Sequence, residues 1–324
     1  MVAETRSVRV PCYAKINLDL KVLNKGADGF HELRTVFQTV TLSDELEISF
    51  TPARRTEVTL DSEIDIPDNL ILRAAHAVLE ASHVSGRFYG RLHKRIPMGG
   101  GLGGGSTDAA AVLLALPVLT GRPLSLEKLM ELGATIGSDV PFFLLGGTAL
   151  GFGRGTELYP LPERPDQPIL IVAPHIHVST PEAYASFDRA GNGKLTQAEA
   201  ARYIGSFQSR VWSYGKSLSP GDGGNNSEND FERVVFPKHP PLKSTLNKLR
   251  KLGAAPARMT GSGAALFGFF RSREEVKAAA SQFAGSRVYP AATLSRRRYQ
   301  TSWWRALKEH MNVNAWPPPS RYAR

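Results

Sequence analysis

Apolar and polar residues alternate through SVRVPCYAKINLDLKVL (7–23) and again in LRTVFQTVTLSDELEISF (33–50), with the turn cluster NKGADG between them. A period of two marks half-buried strands, so the chain is predicted to open on strands and turns. The pattern turns helical at NLILRAAHAVLEA (69–81) and strand-like again from ASHVSGRFYG into RLHKRIP. A helix is predicted over 107–116, stopped near Pro117, and LSLEKLMELGATIG (124–137) is a further helix with Ser125 as its cap. GGTALGFGRGTELYPL (146–161) has the look of a hairpin and QPILIVAP of a buried strand. Beyond them lie two helical patterns, PLKSTLNKLRKLG and REEVKAAASQFA, separated by MTGSGAALFGFF, a glycine turn entering a strand. SYGKSLSPGDGGNNSE (213–228) is loop-like, an insertion or a border. Strands and helices mix without a regular βαβ period, which favours an α+β fold in two lobes over a doubly wound sheet.

Composition narrows the class. The 324 residues are 42% hydrophobic and 22% charged, ample for a buried core. No run approaches the ~18 apolar residues of a membrane span, and the N-terminus lacks a signal pattern. The single cysteine, Cys12, allows neither an internal disulfide nor a cysteine-based metal site, so a reducing cytoplasm is the expected setting. The net charge of +10 attracts anions without choosing among them. Part of that surplus belongs to the tail, in RRRY (296–299), SWWRALK (302–308) and the closing SRYAR.

The candidate chemistry starts at IPMGGGLGGGSTDAAAVLLAL (96–116), where six glycines fall within seven positions. The stretch satisfies G-x-G-x-x-G, but the window ~20 residues on, PLSLEKLMEL, is helical where a dinucleotide fold needs a strand ending in an acid. The P-loop pattern fails as well, since no lysine precedes Ser106. The physical reading survives both tests. Glycines let backbone N–H groups converge on a ligand, and a helix N-terminus behind them adds unpaired N–H groups and a partial positive charge. Together these make a phosphate cradle. Ser106 and Thr107 are candidates to cap the helix and to offer hydroxyls to phosphate or Mg²⁺. The alternative, a flexible linker, sits poorly with such apolar, structured flanks.

Three segments line up in order: CYAKINL (12–18) with GADGFHELRTVFQ (26–38) behind it, the glycine stretch 96–116, and MTGSG (259–263). With GSDVPFF (137–143) and NDFE (229–232) they resemble the GHMP kinases, over about residues 8–295. The resemblance is strongest to the branch acting on a cytidylated methylerythritol. It implies an N-terminal lobe of the ribosomal-protein-S5-domain-2 type over 1–165 and a ferredoxin-like lobe over 166–295, with the site between the lobes; the basic aromatic tail, 296–324, lies beyond the resemblance. It also implies ATP and Mg²⁺, and a small-molecule partner, a cytidine diphosphate-linked polyol phosphorylated on its C2 hydroxyl. A mevalonate- or homoserine-type substrate is the rival within the family, disfavoured by DGFHEL and NDFE.

Phosphoryl transfer needs positioning and charge neutralisation above all. Asp139, set before an apolar run, is the expected base; its bland role is a helix N-cap with Pro141 in the first turn. Lys15, in an otherwise apolar alternating strand, is expected beside it, where an opposite charge within ~4–6 Å favours the ionised carboxylate. By resemblance, Pro97, Met98, Gly99, Gly100, Gly101, Leu102, Gly103, Gly104, Gly105, Ser106 and Thr107 bind ATP. Phe30 and His31 would meet a cytosine by stacking and edge hydrogen bonds, with Tyr184 as a second aromatic and Thr180 beside it. Asn17 would contact the sugar-alcohol end, and Ser262 the substrate phosphates or the ATP loop.

The chain departs from the family pattern at Phe30 (commonly Tyr), Tyr13 (Pro), Ser138 (Ala), Thr260 (Ser) and Pro117 (Asn), none of which removes a reacting group. Asp188 to Glu199 resembles a calcium-binding EF-hand loop, but Ala190 takes a ligand position and no second hand is visible. A glycine turn followed by a capping box, Thr196-x-x-Glu199, is the plainer reading. A non-catalytic nucleic-acid-binding protein is the rival of another class. TSWWRALKEHM fits a helix packed on its own body better, so neither nucleic acid nor membrane is expected as a partner.

Overall fold

The computed structural model describes residues 4–26, 29–64, 66–163, 165–191 and 228–311. Two long strands, β1 (Arg6–Lys25) and β2 (His31–Pro52), form an antiparallel hairpin that runs the length of the molecule. The apolar row of β1 supplies three cores in turn. Val8, Val10 and Cys12 enter the first, Ala14, Ile16 and Leu18 the second, and Leu20 and Val22 the third. The alternation read from sequence is therefore one buried row shared by everything the hairpin touches.

On its other edge β2 pairs first with β5 (Thr148–Phe152) and farther along with β4 (Gly86–His93). β3 (Glu57–Ser62) lies parallel to β4, and β6 (Glu157–Pro160) closes the predicted hairpin with β5. Against this sheet pack α1 (Leu70–Ala81), α2 (Gly104–Thr120), α3 (Leu126–Ile136) and α4 (Val140–Leu145). Helix α2 is buried at every position from Thr107 to Pro117, as a helix that is apolar on all sides must be. It does not stop at Pro117. A proline removes only the bond its own N–H would make, and the chain continues to Thr120 before Gly121 ends it in the left-handed region at φ 69°.

A second sheet has the order β10 (Arg287–Ala292), β7 (Pro168–Ala173), β9 (Leu266–Phe269), β8 (Ala257–Met259). One face, with Ile169, Ile171, Phe267 and Phe269, packs on the middle of the hairpin. The other carries α5 (Thr180–Arg189), α6 (Glu232–Lys238), α7 (Pro240–Lys251) and α8 (Arg273–Ala280). Strands β3 and β10 carry too little pattern to have been predicted. The loop-like 213–227 and the end of the tail, 312–324, lie outside the described residues.

The last described helix, α9 (Arg296–Leu307), returns to the first core. Tyr299 and Trp303 are fully buried there, and the Tyr299 hydroxyl donates to the Phe143 carbonyl at the end of α4. Trp303→Ala should lower unfolding stability by about 3–5 kcal/mol, whereas the partly exposed Trp304→Ala should cost less than about 1 kcal/mol. Denaturant unfolding of both variants measures the difference; equal losses would place α9 outside the core.

Candidate functional site

The hairpin changes register between Tyr13 and Lys15 and again between Asn17 and Asp19. At these irregularities β1 turns to other partners. The Lys15 amide donates to the Leu102 carbonyl at 3.0 Å, and the Asn17 amide to Thr260 Oγ1 at 3.1 Å. Both glycine turns are thereby sewn to the middle of one strand. They also interlock: Gly100 O accepts from the Ala265 amide at 3.2 Å, and Gly101 O from Thr260 Oγ1 at 3.3 Å.

Two glycines have a steric reason to be there. Gly101 and Gly103 hold φ of 73° and 72°; a Cβ would stand 2.3 Å from the Thr260 carbonyl oxygen at the first and 2.7 Å from the Phe143 ring at the second. Gly103 is also the N-cap residue of α2, so neither Ser106 nor Thr107 caps it as expected; both lie in its first turn. Hydrogen bonding inside the helix begins at Thr107 N–H to Gly103 O, 2.9 Å. The N–H groups of Gly104, Gly105 and Ser106 precede it and sit at the positive end of the helix.

A cavity of about 650 Å³ opens in front of this turn, with Lys15, Asn17, Ser106, Asp139, Thr180 and Ser262 in its wall. Of the glycine-loop residues only Gly101 and Ser106 line it; Thr107 is buried behind, and Met98 is exposed. Lys15 Nζ lies 3.3 Å from Asp139 Oδ2, 2.8 Å from Asn17 Oδ1 and 5.3 Å from the centre of the Phe37 ring. The lysine side chain is 4% exposed and the carboxylate 31%. Asp139 occupies the cap position of α4, yet its side chain makes no capping bond. The two roles foreseen for it do not coexist: the carboxylate faces Lys15 and the cavity instead.

Asn17, foreseen as a substrate contact, lines the cavity but is buried, and both ends of its carboxamide have protein partners. Its Oδ1 accepts from Lys15 Nζ, from the Gly261 amide at 3.0 Å and from Thr260 Oγ1 at 3.3 Å, and its Nδ2 donates to Thr35 Oγ1 at 2.7 Å. Ser262 Oγ and Thr180 Oγ1 are 2.7 Å apart at the cavity edge. Asn229 of the NDFE motif donates from Nδ2 to the carbonyls of Met259 and Gly261, at 2.9 and 2.8 Å, so that motif holds the second glycine turn.

At the far end the His31 ring stacks on Tyr184, with centres 5.0 Å apart and planes 23° from parallel, and its Nε2 is 2.6 Å from Asp188 Oδ1. One edge nitrogen expected to read a base thus meets a carboxylate. Burial raises the Asp188 pKa, but the hydrogen bond and charge of His31, with Lys25, outweigh it and leave the group below its ordinary value. Burial, then the Asp139 charge, push the Tyr184 phenol upward, so the aromatic end and the carboxylate feel one another. Asp188, first residue of the EF-hand-like loop, lies in the last turn of α5 and is committed to His31 and Lys25; residues 192–199 of that loop lie outside the described residues.

Behind the cradle stands a cluster the sequence reading missed. Lys94 Nζ sits between Asp44 and Asp108, 2.8 Å from the latter, and Asp44 Oδ1 accepts the amides of Arg95 and Ile96 that lead into the glycine loop. A charge in the first turns of the apolar helix 104–120 was the available signal. Burial, partly offset by Lys94 and reinforced by Asp44, raises the Asp108 pKa to about 7. Glu45, Glu47 and His93 are the one potential metal-ligating trio among the described residues, but Arg9 bridges both carboxylates.

Residues 69–147 match the model of the GHMP kinases N terminal domain and 220–289 that of the GHMP kinases C terminal domain. The chain is 51% identical to the 4-diphosphocytidyl-2-C-methyl-D-erythritol kinase of Solibacter usitatus, over 99% of each chain. It is 38% identical to that of Geobacter metallireducens, over 87% of this chain and 95% of the relative. A crystal structure of 4-(cytidine 5'-diphospho)-2C-methyl-D-erythritol kinase superposes with a TM-score of 0.72 at 33% identity, over 88% of this chain and 98% of that one. A homoserine kinase from Cytophaga hutchinsonii shares the fold, with a TM-score of 0.68 at 19% identity.

A raised Asp108 pKa has a definite sign. The folded state holds this proton more tightly than the unfolded chain, so its contribution is full below the unfolded value near 4 and is lost as pH rises through about 7. Asp108→Asn should therefore gain stability relative to wild type between pH 5 and pH 8, by about 2–3 kcal/mol. Urea midpoints at the two pH values measure it; a constant difference would contradict the assignment.

Proposed function

This chain belongs to the GHMP kinase family, and from that premise we propose that it transfers the γ-phosphoryl group of ATP to the C2 hydroxyl of 4-diphosphocytidyl-2-C-methyl-D-erythritol. The observation that carries the reading is the Lys15–Asp139 pair, 3.3 Å apart on the wall of a cavity that also meets the first turn of α2.

Each group has a task in that reaction. The N–H groups of Gly104, Gly105 and Ser106 receive the nucleotide phosphates at the positive helix end. Asp139 accepts the proton of the substrate hydroxyl as its oxygen attacks the γ-phosphorus and the bond to ADP breaks. Lys15 orients the carboxylate and offsets charge on the transferring group, and Asn17 holds the ammonium in place. Among the described residues of the cavity wall, no three His, Cys, Asp or Glu ligand atoms converge on one point. That fits Mg²⁺, which takes one or two protein oxygens with phosphate and water; Ser106 Oγ and Asp139 are the oxygens available. When bound, Mg²⁺ neutralises charge on the β- and γ-phosphates. Phe30 and Tyr184 supply the aromatic surfaces for the cytosine.

ADP release with Mg-ATP and the cytidylated substrate tests the reading. Wild type should turn over, and Asp139→Asn should lose about 10²–10⁴-fold in rate while still binding nucleotide. A folded wild type that binds ATP and leaves this substrate untouched would refute the substrate; an active Asp139→Asn would refute the base.

A further inference from the structure

We propose that Arg154 recognises the diphosphate of the substrate, held for that purpose on the ring of Phe30; the inference rests on the substrate proposed above. The guanidinium carbon of Arg154 lies 3.6 Å from the centre of the Phe30 ring, and both residues line the cavity. A guanidinium laid on an aromatic face keeps its N–H edge directed outward in its own plane, the geometry that meets two phosphate oxygens at once.

The placement is built in. Arg154 is in the turn between β5 and β6, and the carbonyl of Gly153 accepts the Leu33 amide at 2.6 Å, two residues past His31. The turn is thus fixed to the segment that presents Phe30. Arg154 lies on Phe30 and lines the same cavity as Tyr184 and Asp139. A substrate whose base rests near Phe30 and Tyr184, and whose hydroxyl reaches Asp139, must carry its diphosphate across the intervening space.

The test compares wild type, Arg154→Ala and Arg154→Lys in their affinity for CDP and for cytidine, with melting temperatures as the check on folding. Wild type should prefer CDP; Arg154→Ala should weaken CDP by about 10- to 100-fold and cytidine by much less, and Arg154→Lys should recover part of the loss. The substrate KM should rise with the CDP constant while the ATP KM stays put. An undiminished preference for CDP in Arg154→Ala would overturn the proposal, and so would equal losses of CDP and cytidine, which would assign Arg154 to the base. If wild type turns over the cytidylated substrate and only the arginine results disagree, this inference alone fails. If wild type binds ATP but never turns over that substrate, both readings fall.

Discussion

The carboxamide of Asn17 is the constraint on which the rest of the site depends. One oxygen accepts from the Lys15 ammonium, the Gly261 amide and the Thr260 hydroxyl, while the nitrogen reaches across the hairpin to Thr35. A lysine, a glycine turn and a neighbouring strand are fixed by one small planar group. Buried polar networks of this kind are stable only when every member is satisfied. The long hairpin makes that possible, because between its register shifts the amides of Lys15 and of Asn17 itself turn to Leu102 and Thr260 of the two glycine turns. Asn229 then clamps the second turn from the other side.

Two lysine–aspartate clusters stand on opposite sides of the cradle, and their surroundings give them different work. Lys94, Asp44 and Asp108 are sealed from solvent, so their mutual attraction has to offset a large desolvation cost and serves to fix where the glycine loop begins. Lys15 is equally buried, but Asp139 keeps about a third of its side chain open to the cavity. That difference leaves one carboxylate open to the cavity while the other is confined to the scaffold.

Much of this was legible in the sequence. The alternation from Val8 to Val22 and the glycine turn before α2 follow from period and backbone freedom, while the expectation of Lys15 beside Asp139 came with the family resemblance. What stayed hidden depends on contacts between distant segments. Proline rules stop α2 at Pro117, but the helix runs on to Thr120, since the proline removes only the bond its own N–H would make. Capping rules give Ser106, Thr107 and Asp139 roles at helix ends, yet Gly103 takes the first in a conformation only a glycine holds easily, and Lys15 draws the Asp139 side chain away. Nothing local links His31 to Asp188, 157 positions apart, or Asn229 to the carbonyls of the second glycine turn. The NDFE motif, read as a sign of the cytidylate branch, has in this chain a structural task as well.

The most direct test of this account is the turnover of Asn17→Asp with Mg-ATP and the cytidylated substrate, read beside its melting curve and nucleotide affinity. The substitution keeps shape and an acceptor oxygen, but sets a second carboxylate against Lys15 in competition with Asp139. A folded variant that binds nucleotide and turns over about 10²-fold more slowly is the predicted result. Turnover at the wild-type rate would contradict the claim that Asn17 sets the lysine for the reaction.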